Sequence, residues 1–119
     1  MKTVLRGIFL TSENPTSTTK FYREVAGLDL EQVGSEGGYV YWKVDENGVQ
    51  LAIHGAKEFA DYTYPARSDS NVTHLYFKIG SQEEFLEHLA SLGITPYSTD
   101  DVVVTVVDPD GRKVMFGTA

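Results

Sequence analysis

Hydrophobic and polar residues alternate along the chain with two periods, and these predict strands and helices in a recurring order. Residues 4–11 alternate with the period of two that is typical of a strand. A helical spacing follows, with Asn14 as the candidate cap, Pro15 at the first helical position and Gly27 as the stop. Glycine-containing turns then separate three predicted strands, over about residues 29–33, 39–44 and 49–54.

The second half of the sequence repeats this order of elements. Residues 71–79 predict a strand, and Ser81 with Glu84 three residues later forms a capping box at the start of a helix. The apolar stripe of that helix ends at Gly93. Three further strands are predicted, over about residues 95–98, 102–107 and 112–117.

The two halves also align residue by residue. "YVYWKVDENG" matches "VVVTVVDPDG", which places Asp45 on Asp108. "RGIFL" matches "THLYF", which places Gly7 on His74. We therefore predict one α+β domain made of two β-α-β-β-β repeats, about residues 1–55 and 71–119, with a connecting loop over residues 56–70.

Strand alternation divides each predicted sheet into a face that packs on the helix and a second face. The second face is too apolar to be fully exposed and too polar for a plain core, which is typical of a small-molecule site. The alternatives are a second core or a dimer surface. Tyr39 and Tyr41 share this face if the hairpin at Asn47–Gly48 has a two- or four-residue loop, and a three-residue loop would reverse them.

Aromatic residues in the connecting loop, Phe59, Tyr62 and Tyr64, could either contribute to this site or anchor a packed crossing. The candidate ligand-binding residues are Phe9, Tyr39, Tyr41, Ala52, His54, Phe59, Tyr62, His74, Tyr76 and Met115.

Composition narrows the class of protein. The chain has no cysteine, which excludes disulfides, thiol nucleophiles and zinc–thiolate sites. Its net charge of −7 argues against binding of nucleic acid and is compatible with a cationic ligand, although acidity also simply favours solubility. No apolar run approaches the roughly 18 residues that cross a bilayer. A cytoplasmic protein that does not enter a membrane is expected.

Several of these features together resemble the vicinal oxygen chelate superfamily, which includes glyoxalases, bleomycin-resistance proteins and extradiol dioxygenases. They are the paired β-α-β-β-β units, "FYREVAGLDL", the histidine early in the fifth strand, and "DPDG" before the last strand. The resemblance covers almost the whole chain. It implies a curved mixed sheet that forms an open barrel around a cleft. It also implies homodimers, in which the units are sometimes exchanged between chains.

The resemblance implies a divalent metal held by residues of the first and last strands of each unit. At the matching positions the sequence has Gly7, Ala52, His74 and Met115. Glycine and alanine offer no donor, and a thioether is a poor ligand for a hard divalent ion. A degenerate metal site without a cofactor is therefore predicted. In the alternative, His54 and His74 hold a metal with a loop acid such as Glu58 or Asp61.

Three functions remain open at this stage, and no catalytic residue is assigned. The resemblance to the bleomycin-resistance branch implies sequestration of a small aromatic or cationic drug in a metal-free cleft, usually at the seam of a homodimer. The alternative is a metal-dependent lyase, isomerase or dioxygenase that uses His54 and His74. The third is a metal-free domain that regulates or partners another protein.

Overall fold

A computed structural model describes residue 2, residues 4–62 and residues 74–119, without the side chains of residues 60–62. Within these residues the chain forms two four-stranded mixed sheets with helices, an α+β fold, and the sheets are not closed. This confirms the predicted fold class. Among the described residues, no helix combines the length and the apolar composition needed to cross a membrane.

Each sheet is built by one half of the chain. The first half forms β1 (Gly7–Ser12), α1 (Pro15–Glu24), β2 (Glu31–Val33), β3 (Tyr41–Glu46) and β4 (Val49–Gly55), in the sheet order β1-β4-β3-β2. A short helix, α2 (Ala56–Tyr62), follows. The second half forms β5 (Leu75–Lys78), α3 (Gln82–Ser91), β6 (Ser98–Thr99), β7 (Val103–Val107) and β8 (Lys113–Gly117), in the sheet order β5-β8-β7-β6.

The strands pair in equivalent registers within the two sheets, as the alignment of the two halves of the sequence predicts. In the first sheet β1 runs parallel to β4, and Phe9 pairs with Ala52. In the second sheet β5 runs parallel to β8, and Tyr76 pairs with Met115. Ala52 and Met115 therefore occupy equivalent positions of the two sheets.

Local signals in the sequence explain where the helices begin. Oδ1 of Asn14 accepts the amide of Ser17 at 3.2 Å, and Pro15 stands in the first turn of α1. Oγ of Ser81 accepts the amide of Glu84 at 3.2 Å at the start of α3. Both predicted helix starts are confirmed.

The hairpin between β3 and β4 has a two-residue loop. Asn47 and Gly48 have positive φ angles of 53° and 83°, which the tight turn between twisted strands requires. Glu46 consequently pairs with Val49, and Tyr41 pairs with His54. This register places Tyr41 on the face opposite the helix, as the sequence predicts for a loop of this length.

One hydrophobic core joins the two halves. It lies between the helices and the helix-side faces of both sheets, and its fully buried members include Tyr22, Ile53, Leu89, Val104 and Val114. The turn between β7 and β8 also contacts the first half, because Asp110 accepts the hydroxyl of Thr18 at 2.6 Å and the amide of Glu13 at 3.0 Å. The second faces of the two sheets therefore lie on the sides away from this common core.

Several predicted bounds need correction. The predicted connecting loop begins with α2, because residues 56–62 read "AKEFADY" and contain good helix formers directly after β4. The first strand begins at Gly7 rather than at residue 4, and Val4 and Leu5 are exposed. The strand β6 covers Ser98–Thr99 rather than residues 95–98. Residues 63–73, including Tyr64, lie outside the described part of the chain.

Candidate functional site

Four aromatic side chains surround the imidazole of His54 on the second face of the first sheet. The ring of Tyr41 stacks on the imidazole, with centroids 4.7 Å apart and planes at 10°. The rings of Phe9 and Phe59 approach with centroids at 5.2 Å and 5.1 Å, and that of Tyr39 at 5.7 Å. We call these five residues the His54 cluster. All of them are among the predicted ligand-binding residues.

The two nitrogens of His54 differ in their partners. Nδ1 forms a hydrogen bond of 2.8 Å with the hydroxyl of Tyr39. Nε2 is buried and has no hydrogen-bond partner among the residues that the structure describes. Only 8% of the residue is exposed, so the histidine is almost enclosed by the rings around it. A buried polar atom without a partner costs free energy, and a water, an ion or a ligand that bonds to it would remove that cost.

Burial determines the charge of this histidine. Desolvation lowers the pKa of His54 below its usual value, because the apolar rings disfavour the charged imidazolium. At neutral pH the imidazole is therefore uncharged. A neutral imidazole has one donor nitrogen and one acceptor nitrogen, which limits what each edge of the ring can bind.

Glycines position two of the aromatic side chains. Gly34 has a φ of +89°, and a Cβ there would lie 2.1 Å from the carbonyl oxygen of Tyr39. A Cβ at Gly7 would lie 2.7 Å from Cε1 of Phe9. Both glycines therefore leave room that the cluster uses, the first for the backbone of Tyr39 and the second for the ring of Phe9.

Charged residues continue the same face beyond the cluster, and the sequence analysis missed them. Lys43 pairs with the fully buried Ala52 across β3 and β4. Its ammonium group lies 2.5 Å from Asp45 and 3.3 Å from Glu31. Strand alternation from Tyr41 would have identified Lys43, because residues two apart on a strand share a face.

The remaining predicted residues belong to the second sheet or to α2. Tyr76 is 43% exposed and donates a hydrogen bond of 3.1 Å to the backbone oxygen of Ala119. Met115 beside it is half-buried, and the exposed His74 precedes β5. Tyr62 ends α2, and its side chain lies outside the described part. The structure thus assembles the His54 cluster on one sheet and places Tyr76 and Met115 on the other. That all these residues line one pocket stays a prediction.

The positions that would hold a metal in the resembling family do not fit a hard divalent cation. Gly7 and Ala52 supply no donor atom, Met115 supplies a thioether, and His74 supplies one imidazole. Among the residues with described side chains, no three His, Cys, Asp or Glu residues form a group that could hold a metal. His54 lies on the first sheet and His74 on the second. Glu58 lies in the first turn of α2, next to Gly55, and the side chain of Asp61 is outside the described part.

A crevice of about 370 Å³ is lined by residues of both sheets, most of them on the helix-side faces, and it also includes Tyr76. Its walls are mainly apolar, with Ile8, Leu51 and Val44 from the first sheet and Leu75 and Phe77 from the second. The sequence analysis did not predict this crevice, because it depends on how residues from the two halves of the chain pack together.

Comparison with known proteins finds relatives at the level of fold. No protein-family model and no curated protein matches the sequence. Among solved structures, a lactoylglutathione lyase from Agrobacterium tumefaciens superposes with a TM-score of 0.72 at 18% identity, over 100% of this chain and 96% of that protein. Glyoxalase I from Leishmania major, described as trypanothione-dependent, gives 0.69 at 15% identity, over 98% and 87%.

A third structure is a virulence protein from Salmonella typhimurium, with a TM-score of 0.71 at 16% identity over 99% of this chain and 98% of that protein. At identities this low, the superpositions show only that the arrangement of the backbone is shared. The chemistry of each site depends on its own residues. The chain therefore shares the fold of these glyoxalases, as the sequence resemblance predicted.

Proposed function

We propose that this chain is a small-molecule-binding protein that holds a flat aromatic molecule against the His54 cluster without a metal ion. The observation that carries the proposal is the set of rings within 6 Å of a buried imidazole, with Tyr41 stacked on it at 4.7 Å. Aromatic faces bind flat ligands by stacking, a contact that needs no metal.

Charge favours a neutral or cationic ligand over an anionic one. The chain carries a net charge of −7, and the faces of tyrosine and phenylalanine rings attract cations. Such a site would sequester a drug-like molecule in the cytoplasm rather than transform it. The degenerate donor set, with Met115 and Ala52 at metal positions, supports binding without catalysis.

We further propose that two copies associate and complete the cleft. The second face of the second sheet carries two exposed aromatic side chains and two basic ones. The aromatic residues are Tyr76 and Tyr97, 43% and 61% exposed, and the basic residues are Lys78 and Lys113. The second face of the first sheet carries Phe9, which is 53% exposed. It also carries a charged group with a net negative charge, formed by Glu31, Lys43 and Asp45. The two faces are complementary in charge, so each could cover the other across a twofold axis.

The dimer is tested by measuring molar mass by light scattering at several protein concentrations. We expect a dimer for the wild type and a monomer for Lys113→Glu combined with Tyr76→Glu. A Lys2→Glu variant, which changes one charge outside both faces, is the control. A wild-type monomer at high concentration would contradict the dimer.

Ligand binding is tested by thermal denaturation with 9-aminoacridine, a flat cation. A ligand at 100 times its Kd stabilises the folded state by about 2.7 kcal/mol, which raises Tm measurably. His54→Ala should abolish the rise, because it removes the centre of the cluster. His88→Ala, the same change at an exposed position of α3, should leave it intact. No shift with flat cationic or neutral aromatic probes would refute the proposal.

The alternative is a metal-dependent lyase, isomerase or dioxygenase, and the unpartnered Nε2 of His54 is the observation in its favour. This nitrogen could coordinate a metal that further ligands complete. Metal analysis of protein purified without chelator separates the two functions. Stoichiometric zinc, nickel, iron or manganese that is lost in His54→Ala and His74→Ala would establish the alternative and overturn the metal-free site.

A further inference from the structure

The stacked rings of the His54 cluster explain why a flat molecule would bind, but they leave Nε2 of His54 unused. We infer that Nε2–H donates a hydrogen bond to the ligand, and that the ligand is a flat aromatic molecule bearing an uncharged acceptor, a carbonyl oxygen or a pyridine-type ring nitrogen. The inference rests on the proposed function, since it names the class of molecule that the same cluster takes.

The hydrogen bond at Nδ1 determines which of the two ring nitrogens carries the proton of the neutral imidazole. Nδ1 of His54 and the hydroxyl of Tyr39 are 2.8 Å apart, so one of them donates to the other. A phenol is a strong neutral donor and a weak acceptor, whereas an unprotonated imidazole nitrogen is a strong acceptor. The favoured arrangement is therefore O–H···Nδ1. The neutral imidazole then carries its proton on Nε2, and Tyr39 acts as a positioning residue.

The surroundings keep the imidazole in this neutral form. Among the described side chains, those that face it from β1, β3, α2 and the segment before β3 are the rings of Phe9, Tyr41, Phe59 and Tyr39. These rings carry no charge that would stabilise an imidazolium, and burial lowers the pKa of His54 accordingly. A buried N–H group without an acceptor loses the hydrogen bonds that it would make to water. A ligand acceptor at Nε2 would therefore contribute considerable binding free energy.

Access to Nε2 requires that a covering ring turn aside. Phe9 is 53% exposed and lies on β1 at the edge of the first sheet, so it is the ring that can move at least cost. One edge of the Phe9 ring packs directly against Gly7, where a Cβ would lie 2.7 Å from Cε1 of the ring. A ligand that replaces Phe9 would stack in the cluster and bring its acceptor to Nε2.

The test compares three fused-ring probes of similar size: naphthalene, which has no polar atom, quinoline, which has an acceptor nitrogen, and indole, which has a donor N–H. Each Kd is measured at pH 8, where quinoline and the imidazole are neutral, for the wild type and for His54→Phe. The Phe variant keeps a flat ring and removes both nitrogens. We expect the preference for quinoline over naphthalene to be about tenfold larger in the wild type than in the variant.

Equal preferences in the two proteins would overturn the inference while leaving the proposed aromatic site in place. A wild-type preference for indole would overturn the donor assignment. If no probe binds while 9-aminoacridine still raises Tm, the ligand class is wrong and the proposed function survives. If 9-aminoacridine and the neutral aromatic probes all fail to bind, both fail.

A second measurement does not depend on the folding of the Phe variant. Long-range ¹H–¹⁵N NMR spectra of the wild type report which imidazole nitrogen carries the proton. We expect a protonated Nε2 whose ¹⁵N resonance moves downfield with quinoline, as a new hydrogen bond requires, and shows no such downfield shift with naphthalene. In Tyr39→Phe the proton is no longer fixed on Nε2, so the preference for quinoline should fall and that for indole should rise. A protonated Nδ1 in the wild type would refute the inference.

Discussion

The hydroxyl of Tyr22 donates a hydrogen bond of 2.9 Å to Oδ2 of Asp108, a residue that lies 86 positions further along the chain. Both side chains are buried. The same carboxylate oxygen accepts Nη1 of Arg112 at 2.9 Å, and that nitrogen lies 3.3 Å from Asp110. Nη2 of Arg112 reaches the backbone oxygen of Thr11 at the end of β1. One buried polar network thus ties the second hairpin to the first half.

Removal of the Tyr22 hydroxyl tests how much this network stabilises the fold. Burial, followed by the charge of Asp108, raises the pKa of Tyr22 far above its usual value, so the phenol stays a donor. Tyr22→Phe should lower the free energy of unfolding by about 1.5–3 kcal/mol, the range for hydrogen bonds to charged groups. Urea unfolding followed by circular dichroism measures the change.

Tyr97→Phe is the matched control for this substitution. Tyr97 is 61% exposed, and its ring, which lies 4.6 Å from the ammonium of Lys113, is kept in the variant. Tyr97 lies on the face that the proposed dimer would cover, but the variant keeps its ring and removes only the hydroxyl, so we expect a change within about 0.5 kcal/mol. Equal losses in the two variants would contradict a special role for the buried hydroxyl.

The fork of Arg112 should not be replaceable by a lysine. The guanidinium contacts Asp108 and Asp110 through one nitrogen and the backbone of Thr11 through the other, a geometry that one ammonium group cannot reproduce. Arg112→Lys should therefore destabilise the protein by about 2 kcal/mol, close to the loss for one charge-assisted hydrogen bond. Arg6→Lys, at an exposed residue with one hydrogen bond to Gly48, is the control and should cost far less.

Stability should fall on acidification because of Asp110. Burial alone would raise the pKa of Asp110, but hydrogen bonds from Thr18, Ser12 and the amide of Glu13, with the charge of Arg112, hold it below its usual value. A lowered folded-state pKa gives stability above the unfolded value of about 3.9. That stability is lost as the pH falls through the folded-state pKa.

Unfolding by urea between pH 7 and about pH 2 measures this contribution, because the loss is complete only below the lowered folded-state pKa. Asp110→Asn should be less stable than the wild type at pH 7 and should lose less on acidification, so the two proteins converge at low pH. Asp29→Asn, which removes the same charge from an exposed position, is the control. A parallel decline of the wild type and Asp110→Asn would show that another group controls the acid transition.

Much of the fold could be predicted from the sequence because the deciding signals are local. The caps at Asn14 and Ser81 and the turn at Asn47–Gly48 act within a few residues, and alternation follows from the pleat of a strand. The same alternation predicts His54 on the second face, and it predicts Tyr41 there only for a hairpin loop of two or four residues. The two-residue loop that the structure shows decides this point.

The remaining features depend on contacts between distant parts of the chain. "DPDG" predicts a turn, but nothing local indicates that Asp108 is buried against Tyr22 or that Asp110 contacts Thr18. The unpartnered nitrogen of His54 is likewise a property of packing. The sequence predicts a loop where α2 forms, because seven residues are too few for helical periodicity to stand out.

The close approach of Gly34 to Tyr39 gives a test of how the cluster is positioned. In Gly34→Ala the added Cβ would lie 2.1 Å from the carbonyl oxygen of Tyr39, so the segment that carries this tyrosine must move. The positive φ of +89° adds a backbone cost of about 1–2 kcal/mol for alanine. We expect a loss of stability and a displaced Tyr39 hydroxyl, seen as a shift of the His54 ring resonances in NMR spectra.

Gly37→Ala separates the two effects, because Gly37 has a φ of +92° and a Cβ there would meet nothing within 4 Å. The two variants therefore share the backbone cost, and only Gly34→Ala adds the clash. Gly37→Ala should lose about 1–2 kcal/mol and leave the His54 resonances unchanged. If both variants shift those resonances equally, the loop as a whole positions Tyr39. If neither shifts them, the hydrogen bond to His54 does not depend on the contact at Gly34.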